Sequence, residues 1–472
     1  MRQGGRAYFA ANMVSQAAAL IRYVLLARLL GPEQLGIAAL LILTAQFFES
    51  ISDTGSDRFL VQDDDGDDPK MQGLVQLVLA ARGVLIALAL ALSAGLFARL
   101  YNMPDLTLAL IALGVAPLIG GFIHLDLRRA QRTSDFRPES IAMIVSEAAS
   151  LIATAVAAWM TRDHTAVIYG LAVRAACLVI VSHVVAKRPY RWSLTRDYAT
   201  KFSAFALPLA ANGVLLFFGS QGDRVVIGST LGAEALGHYS AVLLLAYYPA
   251  SMIGRYLSGL HLPQIARSRT STEDLQVSRW RLASQFLLLA AAMVAGFAFA
   301  APIVTPLLYG ASFQQPWHIF ALLGLLQAAR FLRLWPTALA VGTGRSAIVM
   351  QNNIARMSAL PLAFATAQVW ASLEAIMLGF IFGELLALFV ALALLARHRT
   401  VDMLEECGRV ALFMGLAASL VAAAWFGDQS AAEAMTASAF LALSIIAAVA
   451  YTERRTLRGV WQMARSRLGR TR

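Results

Sequence analysis

At residues 29–36 the chain reads LLGPEQLG, and at 230–237, 201 positions later, it reads TLGAEALG. Leu30, Gly31, Glu33, Leu35 and Gly36 recur as Leu231, Gly232, Glu234, Leu236 and Gly237. Upstream, the triplet AAN at 10–12 recurs at 210–212. Each copy closes the first long apolar run of its half, and glycine between two such runs marks a turn at a helix end. The chain is therefore expected to hold two similar halves built from helices.

The surroundings of these two turns decide what kind of helices they are. Of 472 residues, 58% are hydrophobic and 14% are charged, against roughly 25% charged in an ordinary soluble domain. Apolar runs recur from residue 8 to residue 451, and the mean hydropathy is +0.63. Lipid offers no water to backbone N–H and C=O groups, so runs of this length are helices, and the alternation of a barrel strand is absent. The fold class is all-α integral membrane, with about 14 transmembrane helices. The first six are expected near 8–30, 35–60, 73–98, 105–125, 139–160 and 164–186. Six more fall near 203–229, 235–258, 282–301, 316–341, 347–369 and 372–396, and a last pair near 408–426 and 431–451.

The expected domains are an N-lobe at 1–200, closed by the basic linker KRPYRWSLTRDYATK (187–201), and a C-lobe at 201–400. Residues 401–472 supply two additional helices and a basic tail. Six helices per half put both halves in the membrane in one orientation, as parallel repeats about an axis along the membrane normal. Two such lobes suggest a carrier that rocks between two open forms.

The net charge is +11, from 39 Lys and Arg against 28 Asp and Glu. The basic residues gather in one set of loops, among them Arg128, Arg129, Arg132 and Arg137, then Lys187, Arg188, Arg191, Arg196 and Lys201. The same side holds the tail with Arg454, Arg455, Arg458, Arg465, Arg467, Arg470 and Arg472, whereas the opposite loops hold only Arg99 and Arg162. Such an excess marks the cytoplasmic side and places both termini there, and it speaks of topology rather than of nucleic acid. Cys177 and Cys407 lie in or beside apolar runs, with no disulfide or metal spacing. The N-terminal run ends in ARLLGP without a small-residue cleavage site and is expected to stay as the first span.

Several segments, in order along about 400 residues, resemble the oligosaccharide flippase branch of the multidrug/oligosaccharidyl-lipid/polysaccharide (MOP) superfamily, the Wzx-type polysaccharide transporters. They are ARLLGPEQLG (27–36), LRRAQRTSDFRP (127–138), FALPLAAN (205–212), DRVVIGSTLGAEALGHYS (223–240), LHLPQIAR (260–267), LLYGASF (307–313) and AVGTGRS (340–346). The resemblance implies a MATE-like fold in a bacterial inner membrane. It also implies a substrate: undecaprenyl-pyrophosphate-linked oligosaccharide repeat units, flipped from the cytoplasmic to the periplasmic leaflet for exopolysaccharide, capsule or O-antigen assembly. A polysaccharide polymerase and a chain-length copolymerase are candidate partners, and no cofactor is expected beyond a coupling ion, proton or sodium.

Ionisable groups inside spans are costly and usually face a cavity or a partner. The basic ones are all arginine: Arg22, Arg28, Arg82, Arg174, Arg224, Arg255, Arg330, Arg333 and Arg356. The acidic ones are Glu49, Asp53, Glu147, Asp223, Glu374 and Glu384. Arg28, Arg356 and Glu374 lie near span ends, where snorkelling is expected. A diphosphate needs fixed charge and bidentate donors, which arginine supplies. Arg330 and Arg333 share a helix face, and the resemblance places Arg22, Arg224 and Arg255 on cleft-lining helices. The expected headgroup site is Arg22, Arg224, Arg255, Arg330 and Arg333.

The repeat shift sets Arg22 opposite Asp223 and Asp53 opposite Arg255, so these opposite-charge pairs are expected to close the outer and inner mouths. Glu49, Asp53 and Glu147 are candidates for ion coupling, since burial moves a carboxyl toward protonation. Pairing with Arg82 or Arg174 is the structural alternative. The run DDDGDD (63–68) imitates a metal-binding motif but reads as a solvated turn, GTGRSA (342–347) as a turn between helices, and GFIFG (379–383) as close helix packing. No nucleophile, base and orienter set can be assembled, and the longest outer loop, about 302–315, is too short for an enzyme's active site, so no catalysis is expected. A lipid II flippase and a cation-coupled multidrug exporter are the alternative functions.

Overall fold

In a computed structural model, which describes residues 3–268, 271–426 and 447, the first two expected spans form one long helix, α1 (Gln3–Ile51), redirected at Gly31. Gly31 has φ 77° and ψ 178°, a conformation that a Cβ disfavours. Pro32 follows as the first residue of the new direction, where its missing N–H costs nothing. The second copy of the motif behaves alike: α9 (Arg196–Thr230) ends just before Gly232, which has φ 88° and opens α10 (Gly232–Arg267).

Between them run α2 (Ser56–Gln62), α3 (Pro69–Leu100), α4 (Thr107–Ala112), α5 (Val115–Gly120), α6 (Asp126–Arg132), α7 (Arg137–Thr161) and α8 (Ala166–Val185). The Asp68 carboxylate accepts the Lys70 N–H and starts α3, with Pro69 in the first turn. The fourth expected span is shorter than its apolar run, because the helix breaks at Gly114 and ends at Gly120.

The chain continues with α11 (Thr272–Tyr309), α12 (Trp317–Leu332), α13 (Leu334–Gly342), α14 (Ala347–Arg356), α15 (Ala359–Trp370), α16 (Leu373–Arg397) and α17 (Met403–Phe426). α12 is buried over nearly its whole length, and α11, α16 and α17 pack around it. The glycines of GFIFG do bring helices close. A Cβ on Gly383 would lie 2.3 Å from Ala359 Cβ, and one on Gly379 2.8 Å from Ala363 Cα.

The described chain is helical, with no strand among the described residues. Nine helices among them are long and apolar enough to cross a membrane. With 36 residues, α10 is also long enough, at about 1.5 Å per residue. The chain divides into two compact units, Met1–Ala241 and Val242–Arg472. The expected span at 431–451 and the tail arginines lie outside the described residues.

The acidic run, expected as a solvated turn, has a further role in the first unit. Asp65 and Asp67 are solvated, yet Lys201 Nζ lies 2.7 Å from both Asp63 Oδ1 and Asp65 Oδ2, and Arg188 Nη2 lies 3.2 Å from Asp67 Oδ1. The Tyr198 hydroxyl donates to Asp68 at 2.7 Å, and Arg132 donates to the Leu60 carbonyl at 2.8 Å. Crowded carboxylates repel one another, and the basic linker 187–201 is the cation source within reach.

Candidate functional site

In the first unit, Glu147 of α7 collects charge from two neighbouring helices. Arg174 Nε of α8 donates to Oε1 at 2.7 Å, Arg22 Nη1 of α1 to Oε2 at 3.3 Å, and Ser15 Oγ to Oε1 at 3.3 Å. Arg22 also donates to Ser150 Oγ at 2.7 Å, and Ser150 passes its own proton to the Gly170 carbonyl at 2.9 Å. Ser15 and Arg22 are two helical turns apart, and Glu147 and Ser150 one turn apart, so each pair lies on one face. Glu147 is buried, and its two cations outnumber it.

The second unit holds a larger excess. Glu384 of α16 is 1% exposed and meets three guanidinium groups. Arg333 Nε donates to Oε2 at 2.9 Å, Arg356 Nε to Oε1 at 2.6 Å, and Arg330 Nε stands 3.5 Å from Oε1. Arg333 sits at the break between α12 and α13, and Arg356 ends α14. The expectation that Arg356 snorkels is corrected here: the break after α14 turns it inward onto Glu384, with 14% of its side chain exposed.

A third network in the same unit is balanced. Arg279 of α11 donates to Glu406 at 2.7 Å and to Glu405 at 3.0 Å, both on α17. Arg409 reaches Glu406 Oε2 at 3.1 Å and Ser284 Oγ at 2.8 Å, and its guanidinium carbon lies 4.1 Å from the Trp280 ring centroid. Among the described residues two cations meet two anions, and the result is a strut between α17 and α11.

Arg224 and Arg255 differ from all of these. Neither makes an ion pair or a hydrogen bond among the described residues; Arg224 Nε on α9 is buried with no acceptor, and Arg255 on α10 is exposed. Asp223, expected to pair with Arg22, accepts the Tyr239 hydroxyl. Asp53, expected opposite Arg255, accepts the Gly55 N–H at 3.0 Å. Arg82 caps the end of α1 by donating to the Glu49 carbonyl at 2.7 Å and to Ser52 Oγ at 3.0 Å. Glu49 itself is exposed, and its carboxylate has no described hydrogen bond. Arg330 and Arg333 thus come together, whereas Arg22 joins a separate cluster in the first unit. Arg174 and Glu384, absent from the expected site, carried the signal that every ionisable residue in a span carries; their spacing in sequence could not show whom they meet.

A family model described as "Polysaccharide biosynthesis protein" matches residues 25–317. The chain belongs to that family. Curated relatives of this polysaccharide biosynthesis protein include "Lipopolysaccharide biosynthesis protein WzxC" of Escherichia coli (strain K12), 22% identical over 66% of this chain and 63% of that one. Others are "Succinoglycan biosynthesis transport protein ExoT" of Rhizobium meliloti (strain 1021), 24% identical over 64% and 61%, and "Amylovoran biosynthesis protein AmsL" of Erwinia amylovora, 23% identical over 44% and 55%. The chain therefore spans less than two thirds of the length of each. Among solved structures, "Lipid II flippase MurJ, inward closed conformation" superposes with TM-score 0.71 at 12% identity, covering 95% of this chain and 99% of that one. A MATE family transporter of the MOP superfamily in its inward-facing conformation gives 0.63 at 15% identity, covering 83% and 96%. The family protein thus has the MATE and MurJ fold, as the resemblance implied.

Proposed function

We propose that the protein flips lipid-linked oligosaccharide repeat units across the bacterial inner membrane by alternating access, with the pyrophosphate held by arginines on the spanning helices. The observation that carries this is Arg224 with Arg255: two permanently charged groups on long apolar helices that meet no anion among the described residues. A guanidinium in that setting is costly unless water or an anionic ligand meets it, and a diphosphate offers several oxygens to its forked donors. Arg333 and Arg22 add charge from clusters in which, among the described residues, two guanidinium groups meet one carboxylate: Arg333 and Arg356 at Glu384, Arg22 and Arg174 at Glu147; Arg330 adjoins the first of these.

A cation-drug exporter would need acids presented to its substrate, and here Glu147 and Glu384 are covered by arginine. A lipid II flippase would use the same pyrophosphate chemistry; the relatives' names, which refer to lipopolysaccharide, succinoglycan and amylovoran, favour a polysaccharide repeat unit. Of the three coupling candidates, Glu147 is held by two guanidinium groups and Asp53 by a backbone N–H, so Glu49 is the group able to take up a proton or sodium. The basic loops face the cytoplasm in this scheme, and a polymerase with its copolymerase would receive the product. The Asp53 with Arg255 gate at the inner mouth belongs to the same proposal, tested by whether a charge swap rescues the single mutants; the expected Arg22 with Asp223 gate gives way to the pairing of Arg22 with Glu147.

The test is a gene deletion followed by mass spectrometry of lipid-linked intermediates alongside secreted polymer. Loss of polymer with accumulated polyprenyl-pyrophosphate repeat units, restored by the wild-type gene but not by Arg255→Ala, is the expected result. Normal polymer without accumulation would overturn the polysaccharide function.

A further inference from the structure

The two copies of the repeat motif meet each other inside the first unit. A Cβ on Gly36 would lie 1.7 Å from the Ala233 carbonyl oxygen, and a Cβ on Gly237 would lie 2.0 Å from the Pro32 carbonyl oxygen. Pro32 and Ala233 are themselves related by the repeat shift of 201, as are Gly36 and Gly237. The contact is therefore reciprocal, like a two-fold interface folded into one chain. Leu35 and Leu236, the next matched pair, are 1% and 0% exposed beside it. No side chain can stand between the two helices here, because only hydrogen fits. This crossing lies at the turns after the first and seventh expected spans, the end of the bundle remote from the basic loops.

We propose that the Gly36 and Gly237 crossing is a side-chain-free seal, closed in this conformation, that parts when the carrier opens away from its basic loops. It rests on the alternating-access function proposed above. Backbone against backbone gives a tight closure without interlocking rotamers or an ion pair, so separating it demands no desolvated charge and no repacking of large side chains. The contact near the basic end, between α2 and α9, is of the opposite kind. There Phe59 packs against Phe202 and Phe205 at ring-centroid distances of 5.1 and 5.2 Å within a buried apolar cluster. Each sealing helix also begins at a positive-φ glycine, Gly31 or Gly232, around which a Cβ would find nothing within 4 Å. The five-residue step from hinge glycine to crossing glycine is the same in both copies, which gives the motif a mechanical role that its position between two spans does not itself require.

The seal is tested without substrate. In a background with Cys177→Ser and Cys407→Ser, Leu236→Cys is labelled in membranes with a membrane-impermeant maleimide. Wild-type glycine at 36 is expected to leave this thiol protected, and Gly36→Leu, which cannot close, to raise its labelling rate at least tenfold. Gly36→Ala is read in the same way should the leucine variant fail to accumulate, with a smaller rise. Equal labelling in folded Gly36→Ala and wild type, at matched melting temperatures, would overturn the seal. Because labelling needs no lipid-linked sugar, a risen rate in a protein that flips no repeat unit would keep the seal and sink the substrate instead.

Discussion

Within the second unit, the Glu384 cluster and the Glu405–Glu406 network use the same residue types to opposite effect. Among the described residues, Arg333 and Arg356 share the one carboxylate of Glu384 with Arg330 beside them, whereas Arg279 and Arg409 meet Glu405 and Glu406 two for two. The two-for-two network matches charge with charge and ties α17 to α11. An unbalanced one keeps local positive charge that an anionic headgroup can use. The Glu147 cluster, with two cations to one anion, stands between them. Charge balance thus distinguishes arginines that act as struts from those proposed to bind, and the distinction can be broken at each member.

The largest effect is expected at Glu384. Replacement by Leu takes the buried carboxylate from the half-buried Arg333 and Arg356, and breaking a buried pair from one side costs about 3–5 kcal/mol. Melting in detergent should show this loss, while Glu405→Gln, at a carboxylate 39% exposed, should cost less than about 1 kcal/mol. A destabilisation of similar size at both sites would erase the distinction between the two networks.

Next comes a separation of function from stability. Arg224→Leu removes a charge with no protein anion, so melting should be unchanged or raised while accumulated lipid-linked repeat units rise about tenfold or more, the worth of a charge-assisted hydrogen bond of ~1.5–3 kcal/mol. Arg279→Leu should do the reverse, losing stability by removing the 2.7 Å donor to buried Glu406 and the 3.0 Å donor to Glu405, and leaving flux per folded molecule unaltered. Parallel losses in both variants would contradict the assignment of strut and site.

A smaller effect is expected from pH, through a group on neither side of the comparison. His124, in the turn before α6, accepts the Asp126 N–H on Nδ1 at 3.1 Å, so its Nε2–H donates to the Arg188 carbonyl at 2.9 Å. Burial, reinforced by the His183 imidazole, holds its pKa below the ordinary histidine range. The unfolded chain therefore binds the proton first, and the stability tied to neutral His124 is complete above about pH 6.5 and falls as pH drops below it. Melting from pH 8 to pH 5 should show this slope in wild type and a flatter one in His124→Gln. The smallest effect belongs to the acidic run: Lys201→Ala should lower the melting temperature only slightly, and less in high salt, because its pairs are partly solvated.

Much of the fold was legible because lipid leaves the backbone few options. Span limits such as 139–160 and 164–186 match α7 and α8 within a few residues, and the glycine motif located two turns that the backbone makes in the same way. The breaks were harder. α14 and α15 part at residues 357–358, where Pro361 has no N–H to give the Met357 carbonyl, a signal hidden inside an otherwise continuous apolar run, and that break is what turns Arg356 inward. Partners were the least legible. Arg22 was expected on Asp223 from a repeat shift, but a shift relates equivalent positions and says nothing of a third helix, and α7 brings Glu147 and Ser150 against it. DDDGDD read as a turn because its neighbours in sequence are polar, whereas its cations come from residues 188 and 201.

The central claim, that unpaired intramembrane arginines hold a lipid diphosphate, is tested most directly by binding. Purified protein in nanodiscs would be titrated with undecaprenyl diphosphate and undecaprenyl monophosphate, in wild type and in Arg224→Leu with Arg255→Leu. The account predicts tighter binding of the diphosphate to wild type and loss of that preference in the double variant at an unchanged melting temperature. Equal affinities for the two lipids in wild type, or a diphosphate preference that survives the double substitution, would contradict it.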